Sequence, residues 1–354
     1  MNLTFEYIED LKTLSQEDYD ILCKIIYQWY GIYHHPLDPP SLDVVNHDLN
    51  LPADPFGRLV SAIARLEEKI VAISRIFINS QTENKHRAFI RVITKTEYQN
   101  QGIGKALFKF TIQCLPDVIT TITTNTRNDD YNDGKLTWLD NVLIKLGGKM
   151  AILDRKSGAN LKEFECETVK EIAKSHRERI QKEGYSLLFI DNYDFPHDFD
   201  MADYLKSLEQ IWNDMPRDEM DANDSEMSAE IYSQLITRLR VEYDKSWLIV
   251  CLKNNKTVGV TLTFFDKFTP SLAIQDDTGV IREHRGHGLG IALKYQMLEK
   301  LLCDPFAKQT TYWITHNTHS NSHMIRINNE LKYKEMATFV LYEFKKEELL
   351  KKLS

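Results

Sequence analysis

Two short segments of the chain combine residue types that suit phosphate binding. They are Gln99-x-x-Gly102-x-Gly104 and Arg285-x-x-Gly288-x-Gly290, the second with Gly286 added. Each follows a β-branched extended run and opens an amphipathic one. A helix N-terminus leaves backbone N–H groups unpaired and carries partial positive charge, and glycine lets the main chain approach an anion or take positive φ. A glycine-bearing strand-to-helix turn is therefore a candidate pyrophosphate cradle. A dinucleotide fold would need its glycines after the first strand and an acidic residue about 20 positions later; here the loop sits late in each unit. A Walker loop would need Gly-Lys-Ser/Thr, and Gly104-Lys105-Ala106 lacks the hydroxyl. Ahead of the second loop stand Gln275, Asp276 and Asp277. Carboxylates there are candidates for a general base or for an anchor of an amine, and strand alternation puts the two aspartates on opposite faces. A turn at the strand start is the other reading of the pair. The matching stretch of the first unit, residues 86–94, holds no carboxylate.

The elements that position these loops repeat. Residues 88–115 and 277–302 share one pattern, with Gln99 and Arg285 in equivalent places 186 residues apart (285 minus 99). A shift of that size fits a duplicated domain. Each loop is preceded by two strands joined by a turn, at Glu67-Glu68-Lys69 and at Asn254-Asn255-Lys256. Each is followed by a Thr-rich strand, a polar turn and another helix. Between the copies, Val169 to Lys182 reads as a helix stopped by Gly184, ahead of a strand over 185–192. The expected organisation is an N-terminal domain over 1–165, a linker helix over 166–184 and a C-terminal domain over 185–354. The acidic stretch 216–228 reads as a mobile connector between helices that could line a cationic entrance.

Both units resemble the GNAT superfamily of acyl-CoA-dependent N-acyltransferases, whose signature is Q/R-x-x-G-x-G/A between the fourth strand and third helix. The second unit continues through residues 315–333 in a way similar to the T-x-N…N…M…I-N…L-G-F ending of tandem, mycothiol synthase-like members. The resemblance implies an α/β (α+β) fold of two tandem domains, each a mixed, mostly antiparallel sheet flanked by helices. It further implies that the amides of Gln101, Gly102, Ile103, Gly104 and Lys105 hold one pyrophosphate, and those of Gly286, His287, Gly288, Leu289, Gly290 and Ile291 the other. Val92 and Ile93, like Val280 and Ile281, would be splayed strand ends that pair with the pantetheine arm. Asn321 would contact pantetheine or adenosine, or else cap its helix. The tyrosine acid of many members is absent: Asn328 stands there in the second copy, with Lys332 in place of the glycine, and Leu143 stands there in the first. In the first copy Leu136 also replaces the helix asparagine. Tyr333 is read as a core aromatic. His284 and His287 are read as part of a basic loop.

The bulk numbers agree with this reading. The chain has 354 residues, enough for two domains. Its net charge of -8 argues against nucleic acid and suits a cationic substrate. Five scattered cysteines fit reduced thiols, with no disulfide framework and no metal site. No signal segment or membrane span is expected, so the location expected is cytoplasmic. The activity expected is transfer of acetyl from acetyl-CoA to a small-molecule or peptide amine, by direct attack in a ternary complex, in the C-terminal copy. No cysteine adjoins either loop as an acyl carrier. A non-catalytic acyl-CoA sensor is the alternative. The acceptor amine and the oligomeric state are left open.

Overall fold

In the computed structural model, residues 2–33 and 41–354 are described. The first half runs β1 (Leu3–Ile8), α1 (Gln16–Tyr33), α2 (Leu42–Leu49), β2 (Gly57–Leu66), β3 (Lys69–Asn79) and β4 (Arg87–Thr94). It continues through α3 (Ile103–Cys114), β5 (Thr121–Arg127), α4 (Trp138–Lys145) and β6 (Lys149–Asn160). The second half runs α5 (Cys166–Lys182), β7 (Tyr185–Asp191), α6 (Met201–Asn213), α7 (Ala229–Glu242), β8 (Tyr243–Lys253) and β9 (Lys256–Asp266). It ends with β10 (Leu272–Val280), α8 (Leu289–Cys303), β11 (Tyr312–Thr318), α9 (Ser322–Glu330), β12 (Lys334–Lys345) and α10 (Lys346–Leu353).

The hairpin turns lie where the sequence places them. Glu67 and Glu68, like Asn254 and Asn255, take positive φ between antiparallel strands. The domain limits differ. One compact unit contains Met1–Asp154, Arg217–Asn223 and Ala337–Ser354; the other contains Arg155–Pro216 and Asp224–Met336. The contiguous division at 165–185 therefore does not follow the compact units, and the reason lies in the last strand of each copy. β12 ends the second half of the chain yet pairs antiparallel with β5, from Phe339↔Arg127 to Lys345↔Thr121. β6 ends the first half yet lies beside β11. Hydrophobic pattern specifies that a strand forms, but not which edge receives it.

In the first unit the strands run β1-β2-β3-β4-β5-β12, with only β4 and β5 parallel among the pairs named here. One face carries Ala72, Ile76 and Ile90 against Leu107 and Ile112 of α3; the other carries Ile63, Ile73 and Ile93 against Leu22, Ile25 and Val45 of α1 and α2. In the second unit the order is β7-β8-β9-β10-β11-β6, with β10 and β11 parallel. Val169, Ala173 and Ile180 of α5 pack with Leu293, Met297 and Leu301 of α8 over Ile249 and Trp313. That burial makes α5 an integral helix of this unit instead of a linker.

The acidic stretch is tied down. Within the first unit Asp221 accepts from Lys345 (2.9 Å), and the Asn223 N–H donates to Asn84 Oδ1 (2.9 Å). Cys166 and Cys303, 137 residues apart in sequence, bring their thiols to 3.0 Å at the ends of α5 and α8. No helix among the described residues is long and apolar enough to cross a membrane.

Candidate active site

In both units the parallel strand pair separates at one end. β4 pairs with β5 only from Arg87↔Thr121 to Phe89↔Thr123, and β10 with β11 only from Leu272↔Tyr312 to Gln275↔Thr315. Beyond those points the strands diverge, and the glycine loop follows at the same end. The chain thus builds a gap flanked by main-chain groups next to a helix N-terminus. Gly102 (φ +79°) is the N-cap of α3 and Gly288 (φ +68°) that of α8, and neither helix has a side-chain cap. Their first-turn N–H groups therefore have no side-chain acceptor at the cap.

The first residue of each signature has a definite task. Gln99 Nε2 donates to the Thr94 carbonyl (3.1 Å), and Arg285 Nε donates to the Val280 carbonyl (2.9 Å). Both bonds reach back five residues and hold the strand end against the loop. Glutamine and arginine serve equally because both present an N–H at that reach. Neither side chain is directed to phosphate by these contacts. Arg285 also pairs with Asp214 (3.0 Å), which pairs in turn with Arg282 (2.7 Å). His287 Nδ1 meets Glu183, and His284 Nδ1 meets the Tyr185 hydroxyl (3.0 Å). Burial first, then Lys253 and His287, hold His284 below the usual histidine range.

The second loop is thus less cationic than its sequence suggests, because Asp214 and Glu183 neutralise it. A further cation reaches the loop from another element. Arg179 of α5 donates to the Gly288 carbonyl (3.1 Å), and its guanidinium lies where a Gly288 side chain would start. Helical periodicity reads Arg179 as an ordinary exposed residue near the end of α5, so no sequence signal marks it. Around Gly102, by contrast, the space is open.

Val280 and Ile281 lie at the strand end as expected, but the Val280 carbonyl is taken by Arg285 and the Ile281 N–H by Val258 (3.0 Å). Val92 and Ile93 pair with Ser74 and Ile73 of β3. Asn321 is the N-cap of α9, with Oδ1 accepting from Met324 N (3.2 Å). Tyr333 is buried against Trp313, as a core aromatic should be.

Asp276 and Asp277 do not obey strand alternation. The register slips between Gln275↔Thr263 and Thr278↔Thr261, so both aspartates sit in a β-bulge opposite Leu262. Gln275, buried in that bulge, donates through Nε2 to the Leu262 carbonyl (2.9 Å) and Thr278 Oγ1 (3.0 Å), and lies 3.3 Å from the Asp277 carbonyl. It occupies main-chain acceptors that the broken ladder would leave unpaired. The bulge brings the carboxylates into electrostatic contact. Loss of hydration raises Asp276 to about 6, opposed by the Asp277 N–H and His316. Asp276 keeps exposed surface in the structure, so it sits low among protein groups while remaining open to water. Burial and then the Asp276 charge hold Asp277 well above the carboxylate range, and the Trp212 indole N–H donates to it.

Tyr193, Tyr204 and Tyr243 line the same region, their phenols pushed up first by burial and further by these carboxylates. Asn192 and Tyr193 take positive φ (49° and 60°) at the end of β7, a conformation that costs a tyrosine about 1 kcal/mol or more and orients its ring. These aromatics come from segments whose sequence carries no motif.

The first unit has the opposite electrostatics. Counted eight residues back from the loop, Arg91 stands where Asp277 stands. Arg91 is opposite Arg75 across β4 and β3, and its guanidinium lies 3.8 Å over the Trp29 ring. β3 and β4 pair without a bulge. Among the described residues, no cluster of His, Cys, Asp and Glu is arranged to hold a metal.

Two divergent parallel pairs, each feeding a glycine-capped helix, define the tandem GNAT fold, and this chain has it. Residues 23–132 match the model of the acetyltransferase (GNAT) family. Among solved structures, a tandem GNAT protein from the clavulanic acid biosynthesis pathway is similar over 97% of this chain and 99% of its own, with 17% identity and a TM-score of 0.67. A GCN5-related N-acetyltransferase from Sphaerobacter thermophilus matches over 97% and 96%, with 11% identity and a TM-score of 0.62. A GCN5-related glucosamine N-acetyltransferase region of a fungal multi-domain GH3 β-N-acetylglucosaminidase matches over 97% of this chain and 38% of that one, with 15% identity and a TM-score of 0.66. No curated protein sequence matches the chain. The family match supports acyl transfer as the general chemistry.

Proposed function

We propose that the chain transfers an acetyl group from acetyl-CoA to an amine by direct attack, and that the second unit does the chemistry. The observation that supports this most is the exchange of charge at one position: Asp277 beside Asp276 in the second unit, Arg91 in the first. An ammonium substrate is attracted by paired carboxylates and repelled by a guanidinium. Asp276, titrating near 6, is ionised at neutral pH and takes the proton that the amine must lose. Asp277, held by Trp212 and the bulge, positions its neighbour, while burial is what raises Asp276. The N–H groups of Gly288, Leu289, Gly290 and Ile291 would hold the pyrophosphate, with Arg179 alongside. The amide groups of Gln101 to Lys105 would hold a second cofactor in the first unit, whose loop is open. Thiols do not enter this scheme; burial pushes Cys251 up to about 12.

Calorimetry with acetyl-CoA on Gly288→Glu and Gly102→Glu tests the two cradles separately. A panel of amines with thiol release as the readout tests turnover. The reading fails if neither substitution weakens binding, or if Asp276→Asn and Asp277→Asn both leave turnover unchanged.

A non-catalytic acyl-CoA sensor is favoured by one observation, that Asn328 occupies the place of the tyrosine acid. Acetyl-CoA binding without thiol release across the panel would select it.

A further inference from the structure

α8 carries a lysine where its packing face requires a hydrophobic residue. Lys294 is 1% exposed, among Leu293, Met297 and Leu298, and no carboxylate pairs with it among the described residues. Its Nζ lies 5.0 Å from the Tyr333 ring centre and 5.6 Å from that of Trp313, which partly offsets lost hydration. Burial pulls the amine down to about 7. A buried amine of this kind is costly, and a leucine would fill the space without that cost.

Its hydrogen bond shows what it does. Lys294 Nζ donates to Asn328 Oδ1 at 2.6 Å. Asn328, itself buried, then donates through Nδ2 to Asn317 Oδ1 at 2.5 Å. An asparagine amide can turn either way in most settings. Here the Lys294 amine heads the chain and donates to the Asn328 carbonyl, as an ammonium below about pH 7 and through its remaining N–H groups above it. The Asn328 amide nitrogen must then face Asn317, and the Asn317 carbonyl must face back. The Asn317 Nδ2 group is left pointing away from the chain. Asn317 is half-buried, two residues beyond Thr315, the last residue of β11 that pairs with β10. It therefore stands on the β11 side of the gap that has Asp276 and Asp277 on its β10 side.

We propose that Lys294 and Asn328 orient Asn317 so that its amide N–H binds a carbonyl oxygen of the acyl-CoA pantetheine arm in the gap between β10 and β11. This rests on the acyl-CoA reading above. Asn317 is the ligand-binding residue; Lys294 and Asn328 are positioning residues. The arm offers amide and thioester carbonyls as acceptors, whereas the adenosine diphosphate portion offers none of them. The contact therefore discriminates the arm from the phosphates.

The test is calorimetry with acetyl-CoA and with ADP, which carries the diphosphate without the arm. A Gly102→Glu background confines the signal to the second unit. Asn317→Ala is expected to weaken acetyl-CoA about tenfold, the size of one lost hydrogen bond, and to leave ADP unchanged. Asn328→Asp is the decisive variant. It keeps an acceptor for Lys294 and adds a counter-ion, so the fold is retained and thermal stability is not lowered. It removes the donor that orients Asn317, so acetyl-CoA should weaken to the same extent. Lys294→Met should do likewise. Asn328→Asp that binds acetyl-CoA as tightly as the parent overturns the proposal, as does an equal loss for ADP. Absence of binding of both probes in the Gly102→Glu parent overturns instead the underlying assignment of the second cradle, and this proposal with it.

Discussion

Arg285 donates through Nε to the carbonyl oxygen of Val280 at 2.9 Å, five residues behind it. Gln99 makes the same bond to Thr94 in the first unit at 3.1 Å. The signature residue is thus a clasp between strand end and loop. Arg285→Gln should keep acetyl-CoA affinity within about twofold, because an N–H remains at the same reach and Arg282 still neutralises Asp214. Arg285→Ala should weaken it about tenfold, the size of one lost hydrogen bond. Equal affinities for the two variants, by calorimetry, would dismiss the clasp.

The two N-cap glycines are constrained by conformation more than by space. Gly102→Ala places a Cβ in open space at φ +79°, so it should cost about 1 kcal/mol through strain alone. At Gly288 the atoms in the way belong to the tip of Arg179, which can swing aside. Gly288→Ala should therefore also cost about 1 kcal/mol by urea unfolding. A loss several times larger, restored by Arg179→Ala, would show that Arg179 is locked over the loop.

The base should leave its mark on the pH profile. The proposed base, Asp276, acts when ionised, and the protein groups around it raise it to about 6 although it keeps exposed surface. The turnover kcat/KM should therefore rise through about pH 6 and level off above it. Asp276→Asn should lower the plateau by about 100-fold or more, the usual contribution of a general base, and remove that limb. A limb that persists in Asp276→Asn would assign it to another group.

Lys294 should couple stability to alkaline pH. Its folded value, about 7, lies below the ordinary value of 10.5. Between these the unfolded chain binds a proton that the folded chain does not, so stability rises with pH across that window, by at most about 1.4 kcal/mol per pH unit. Below pH 7 both states are protonated and this contribution is flat. The difference in unfolding free energy between the parent and Lys294→Met should carry that slope. A pH-independent difference would place a charged lysine in the core.

Gln275 should matter more than its absence of a motif suggests. Gln275→Ala leaves the carbonyls of the bulge without their donor, at a cost of about 1–3 kcal/mol. Turnover should fall with it, because the aspartates lose their placement. Full turnover in a destabilised Gln275→Ala protein would separate the bulge from catalysis.

The sequence by itself determined the duplication, the hairpins, both glycine loops and the absence of a carboxylate in residues 86–94. These are local properties: spacing along the chain sets backbone conformation, so pattern reads them directly. It also showed that Asn328 and Lys332 replace the usual acid and glycine. Only the tertiary structure decided the rest, because each remaining feature joins residues far apart in the chain. The destinations of β6 and β12 depend on which sheet edge is free. The bulge at Asp276 and Asp277 appears only when β10 is laid against β9. Asp214 and Glu183 cancel a loop charge that composition counts as basic, while Arg179 arrives from a helix more than a hundred residues earlier. Lys294 reads as one more polar residue of an amphipathic helix until packing encloses it and leaves Asn328 as its acceptor.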